Sequence, residues 1–201
     1  MGGRSGGGAG GGGGINGGIQ GDTTYKGKIK NVESLVHMKD DAMYKATKQA
    51  ISNFAAKLGI PERNVKLADL SGPVMGIGSK GGVFLNKKYF NQSAKDFKNV
   101  MKKNYQAGHL TPTKKPLAHV VTHELAHAAW TSSLATPKGI AAGKEIKALY
   151  KTWSKSGGKG YGTYAKSNID EFWAEVSTKA AHGRKDRFTM KAKSIYQKYQ
   201  L

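Results

Sequence analysis

The stretch 119–130, HVVTHELAHAAW, contains His123-Glu124-Leu125-Ala126-His127: two histidines four residues apart, with a glutamate directly after the first. On a helix, positions four apart share one face, about 6 Å along the axis, so two imidazoles can address one ion. Zinc binds imidazole nitrogen at about 2.0–2.1 Å and prefers tetrahedral geometry. Glu124 is one position off that pair and would stand beside the open coordination position. A carboxylate there can take a proton from a water and hand it on. The spacing therefore points to metal-assisted hydrolysis. Five residues can also meet by chance on an apolar helix, so a third ligand has to decide the matter.

Candidates for that ligand lie in YAKSNIDEFWAEVSTKA, where Glu171 and Glu175 are four apart beside Phe172, Trp173 and Val176. A carboxylate pair among large apolar side chains is unfavourable unless a cation neutralises it. Glu171 as the third ligand, with Glu175 hydrogen-bonding the outer nitrogen of a metal histidine, fills both needs with one zinc per chain. The competing arrangement has both glutamates facing water and paired with Lys166 or Lys179. His119 precedes His123 by one turn, but three histidines at i, i+4 and i+8 cannot share one ion, because the outer two stand roughly 12 Å apart. A His119–His123 pair would leave Glu124 unused, so His119 is read as a core histidine or one supporting the ligands. His37, His109 and His182 show no partner pattern and are read as surface or packing residues.

These groups need helices to hold them. Leu117, Val120, Val121, Leu125 and Ala128 give the metal stretch the broad apolar cover of a buried helix, with Pro116 in its first turn and Thr111 or Thr113 as cap. Asn168 caps a second helix from Ile169 to His182, ended by Gly183. Around these, an Asp40-capped helix carries Met43, Thr47, Ala50, Ile51, Phe54 and Leu58 inward and stops at Gly59 and Pro61. Val32, Val36 and Met38 read as a short strand, as do Val65 and Leu67, and the stretch 72–82 reads as turn-rich. Gly82-Val83-Phe84-Leu85-Asn86 is a strand with Val83 and Leu85 on one face. A short helix spans about 93–103, with Phe97 and Val100 turned inward. Another begins at Pro137, with Ile140, Ile146, Leu149, Tyr150 and Trp153 as its apolar side, and a last one covers about 186–199. The Gly/Lys loop 154–163 is placed as a flap over the site.

Residues 1–24 are dominated by glycine and read as a disordered tail, leaving 25–201 as the folded domain. There is no cysteine, so disulfides and thiolate ligands are excluded. The formal charge is +20, almost all from lysine. Scattered lysine attracts polyanions without reading a sequence, and it also keeps a surface solvated. No apolar run is long enough to span a membrane and no secretory signal is visible.

The combination resembles the gluzincin metallopeptidases, in which H-E-x-x-H on one helix is joined by a glutamate from a second. It is similar to compact members, including the catalytic domain of anthrax lethal factor and peptidase-like domains of phage and prophage proteins. Those carry a tyrosine, six residues, then a segment like E-F-[FWY]-A-E; here that is Tyr164, then Glu171-Phe172-Trp173-Ala174-Glu175. The firm matches cover about 119–130 and 161–178. The resemblance implies an α+β, zincin-like fold, mostly helical, with a small mixed sheet whose edge strand borders the cleft. It implies Glu171 as ligand, Glu175 as its outer support and Tyr164 as donor to the oxyanion. It also makes Gly82, Val83, Phe84 and Leu85 the edge strand along which a peptide lies. The expected activity is zinc-dependent endopeptidase cleavage of a protein or peptide, with a phage or prophage source and hence a host-cytoplasm or virion setting. A toxin-like effector acting on one host protein would use the same chemistry. A different class competes: a basic virion or nucleic-acid-associated binding protein whose zinc site is vestigial or structural. Glu124 and Tyr164 argue against it, since a structural site needs neither.

Overall fold

A computed structural model describes residues 25–201; the expected tail over 1–24 lies outside the described residues. In chain order the elements are β1 (Ile29–Glu33), α1 (Asp41–Leu58), β2 (Val65–Leu70), β3 (Gly76–Ser79), β4 (Gly82–Asn86) and α2 (Lys87–Phe90). There follow α3 (Ala94–Gln106), α4 (Pro116–Ser133), α5 (Pro137–Lys155), α6 (Ile169–Ala181) and α7 (Arg187–Tyr199). Single 3-10 turns lie at Leu35–His37 and Thr163–Lys166. The architecture is α+β, mostly helical, with one small mixed sheet.

The sheet order is β1-β2-β4-β3. β2 and β4 are parallel, while β1 pairs antiparallel with β2, and β3 with β4. This corrects the expectation for Gly82, Val83, Phe84 and Leu85. They form an interior strand, with Val83 and Leu85 buried as the alternation predicts. The edge beside β4 is β3, inside the segment read as turns. Gly-Ile-Gly-Ser has two glycines in four residues and too little apolar alternation to register as a strand.

Those glycines let the edge strand lie flush on α4. A Cβ at Gly78 would sit 1.9 Å from the Glu124 carbonyl oxygen, and one at Gly76 would sit 2.8 Å from Glu124 Cγ. α4 is buried at every position from Ala118 to Trp130, packed between β3, α1 and α6. Its first turn has Pro116 but no side-chain cap, against the expectation for Thr111 or Thr113. Thr113 instead bonds the Lys115 amide and His182, and Thr111 is recruited elsewhere.

α1 matches its pattern: Asp40 Oδ1 accepts from the Met43 amide at 2.9 Å, and Gly59 closes the helix at φ 71°. Elsewhere periodicity overreached. Val36 lies in a 3-10 turn and is exposed, and Ile140 on α5 faces solvent, while Ile146 and Trp153 are buried. The main core runs between the sheet and the helices. A smaller cluster of Ala68, Leu70, Val74 and Ile77 covers another part of the sheet. Among the described residues, no helix is long and apolar enough to cross a membrane.

Candidate metal centre

α4 and α6 meet so that His123, His127 and Glu171 converge. His123 Nε2 lies 3.0 Å from Glu171 Oε2 and 3.1 Å from His127 Nε2, and His127 Nε2 lies 3.3 Å from Glu171 Oε2. Asn168 fixes the first turn of α6 by accepting from the amides of Asp170 and Glu171, both at 2.9 Å. All three side chains are buried. The expected alternative, with Glu171 and Glu175 in water, does not occur.

A second group, His119, His123 and Glu175, overlaps the first at His123, and either could hold a metal ion by proximity. Counting protons separates them. Glu175 Oε1 lies 3.0 Å from His119 Nε2 and 3.3 Å from His123 Nδ1, and a carboxylate can only accept, so both ring nitrogens carry hydrogen. His119 Nδ1 then accepts from the Tyr105 hydroxyl at 2.9 Å. This group is closed by ordinary hydrogen bonds. The His123 tautomer it selects leaves a lone pair on Nε2, aimed at Glu171 and His127. The first group therefore presents converging acceptors, the donor set a cation requires.

The electrostatics agree. Burial opposes charge on His123, but hydrogen bonds to Glu171 and Glu175 outweigh it and push the imidazole up to about 10. A proton and a cation compete for that one lone pair on Nε2. Burial drives His119 and His127 down, despite their carboxylate neighbours. Burial also raises Glu171 and Glu175, yet their histidine partners hold both below the usual carboxylate range. Lys179, buried and with its pKa lowered to about 8 by desolvation, donates to the Thr111 and Pro112 carbonyls.

Glu124 is fully buried beside Gly76 of β3, one residue from the ligand pair. The Tyr164 ring is centred 5.8 Å from that of His123, in the 3-10 turn leading to α6. His109, read as a surface or packing residue, is half-buried and packs its ring against that of Tyr164, centroids 4.8 Å apart. Nothing in its local sequence signals this. The loop expected as a flap is tied down: Trp153 Nε1 donates to the Lys159 carbonyl, Arg184 to that of Gly160, and Gly162 to Thr111 Oγ1.

No family model, curated protein or solved structure matches this chain.

Proposed function

We propose that the chain is a zinc-dependent endopeptidase of the gluzincin kind, with a zincin-like fold and one zinc per chain held by His123, His127 and Glu171. The observation that carries this reading is the triangle of ligand atoms. Tetrahedral bonds of about 2.0–2.1 Å require ligand atoms roughly 3.3–3.4 Å apart, close to the 3.0, 3.1 and 3.3 Å found. Two nitrogens and one oxygen suit zinc and leave a fourth position open.

Zinc held there would supply Lewis acidity, drawing the pKa of a water towards about 7 and polarising a carbonyl. Glu124 takes the water's proton and returns it to the leaving amine. Tyr164 Oη donates to the oxyanion as charge develops on the scissile carbonyl oxygen. The substrate backbone pairs with β3, whose outer edge has no strand partner among the described residues, and which adjoins Glu124. That assigns to Gly76–Ser79 the role expected of Gly82–Leu85.

The test is metal content and hydrolysis of an unstructured protein by wild type and Glu124→Gln. Both should bind one zinc, and the variant should lose about a thousandfold or more in rate. Equal rates would refute the mechanism. Stoichiometric zinc with no cleavage, together with DNA binding that weakens steeply with salt, would favour the basic binding module instead.

A further inference from the structure

We infer that Thr111 is a positioning residue that couples the Tyr164 segment to the occupancy of the metal centre. The importance of Tyr164 rests on the peptidase reading; the coupling itself rests only on metal binding.

Thr111 lies in the loop between α3 and α4 and is buried, far in sequence from everything it holds. Its hydroxyl and its amide both donate to Glu175 Oε2, the amide at 3.1 Å. The same hydroxyl accepts from the Gly162 amide at 2.8 Å. Its carbonyl accepts from the buried Lys179 ammonium at 2.6 Å. Glu175 in turn holds His123 Nδ1 through its other oxygen. One unbroken chain of hydrogen bonds thus runs from Gly162 through Thr111 and Glu175 to a metal histidine.

Gly162 is two residues from Tyr164, and the intervening backbone is laced to the same loop. The Thr163 amide donates to the Gly108 carbonyl at 2.9 Å, and that of Tyr164 to His109 at 3.0 Å. The two segments are flush, since a Cβ at Gly162 would fall 2.3 Å from the His109 carbonyl oxygen. Tyr164 therefore cannot shift without disturbing the partners of Thr111.

A cation on His123 Nε2 pins the ring and so holds its Nδ1–H on Glu175 Oε1. That fixes the carboxylate, and with it the Thr111 hydroxyl, which links carboxylate to amide. A hydroxyl that merely filled space would transmit nothing.

The experiment measures zinc affinity by chelator competition in wild type, Thr111→Val and Thr111→Ser, with amide hydrogen exchange at Gly162 in wild type with and without zinc. Valine keeps the shape and removes the hydroxyl; it should weaken zinc about 10–100-fold, while serine stays within about threefold. Zinc should slow exchange at Gly162 by about tenfold or more and leave the distant Gly59 amide unchanged. Equal affinity in a folded Thr111→Val protein, or Gly162 exchange indifferent to zinc, overturns the inference. If the valine variant does not fold, wild-type exchange decides alone. Failure of wild type to bind zinc would overturn the metal centre, and this inference with it.

Discussion

Glu175 Oε1 stands 3.3 Å from His123 Nδ1, the nitrogen that points away from the converging ligands. That contact puts a proton on Nδ1 and turns Nε2 towards Glu171 and His127. Glu171 and Glu175 lie one turn apart on the same helix, yet they act on opposite nitrogens of one imidazole.

Their substitutions should separate accordingly. Glu171→Ala removes one of the three proposed ligands and should abolish stoichiometric zinc. Glu175→Gln keeps the ligand set but loses the charge that orients His123, and should weaken zinc by about 10–100-fold. Metal analysis after dialysis against a graded chelator series distinguishes the two. Comparable losses would mean that the two carboxylates are not divided in this way.

Tyr164→Phe removes one hydroxyl and none of the proposed ligands. Zinc content should match wild type while kcat falls by about 10²–10³-fold with KM little changed, the pattern of an interaction made mainly in the transition state. Steady-state kinetics on a fluorogenic peptide would show it. A rise in KM at constant kcat would instead make the tyrosine a substrate-binding group.

Gly78→Ala places a Cβ 1.9 Å from the Glu124 carbonyl and 2.8 Å from His127 Cβ, so β3 or α4 must move. Overpacking of this kind costs about 1–3 kcal/mol; where α4 is the element displaced, zinc affinity should fall as well, because α4 carries His123 and His127. Gly81→Ala meets nothing nearer than Ser79 Oγ at 3.6 Å and serves as the near-neutral control in urea unfolding.

Helical period is the part of this molecule that the sequence makes legible. Asp40, Gly59, Asn168 and Gly183 mark their helix ends locally, and His123, His127, Glu171 and Glu175 lie on faces set by a four-residue spacing. Strand order is different. Val83 and Leu85 alternate as any half-buried strand does, and nothing local says which side of β4 is covered. β3 is illegible because its glycines serve contact with α4. Thr111, His109 and Lys179 join the site through partners distant in sequence, and Thr111 resembles a cap because a threonine shortly before an apolar helix usually is one.

Glu145 ties α5 to α7. Its carboxylate accepts from Lys191 at 2.5 Å, Lys198 at 2.7 Å and the Tyr199 hydroxyl at 2.7 Å, which hold it at about 2, below its ordinary 4.5. A depressed carboxylate stabilises the fold above its unfolded value and loses that contribution as pH falls through the folded one. Glu145→Gln should therefore be less stable at pH 7, by about 1 kcal/mol or less because the lysines are largely exposed. The gap should narrow from about pH 4.5 and close near pH 2. Urea midpoints across that range test it; a constant gap would point to packing rather than charge.

The chain's three tryptophans all touch α6 or belong to it. Trp153 stacks on Phe172 at 4.7 Å, Trp173 stacks on Tyr196 at 5.1 Å, and Trp130 donates to Asp170 at 3.0 Å, beside Glu171. The indoles thus form an intrinsic optical gauge of how that helix is seated. Emission colour and lifetime will register any tilt or slip of it without a label, on the timescale of a mixing experiment.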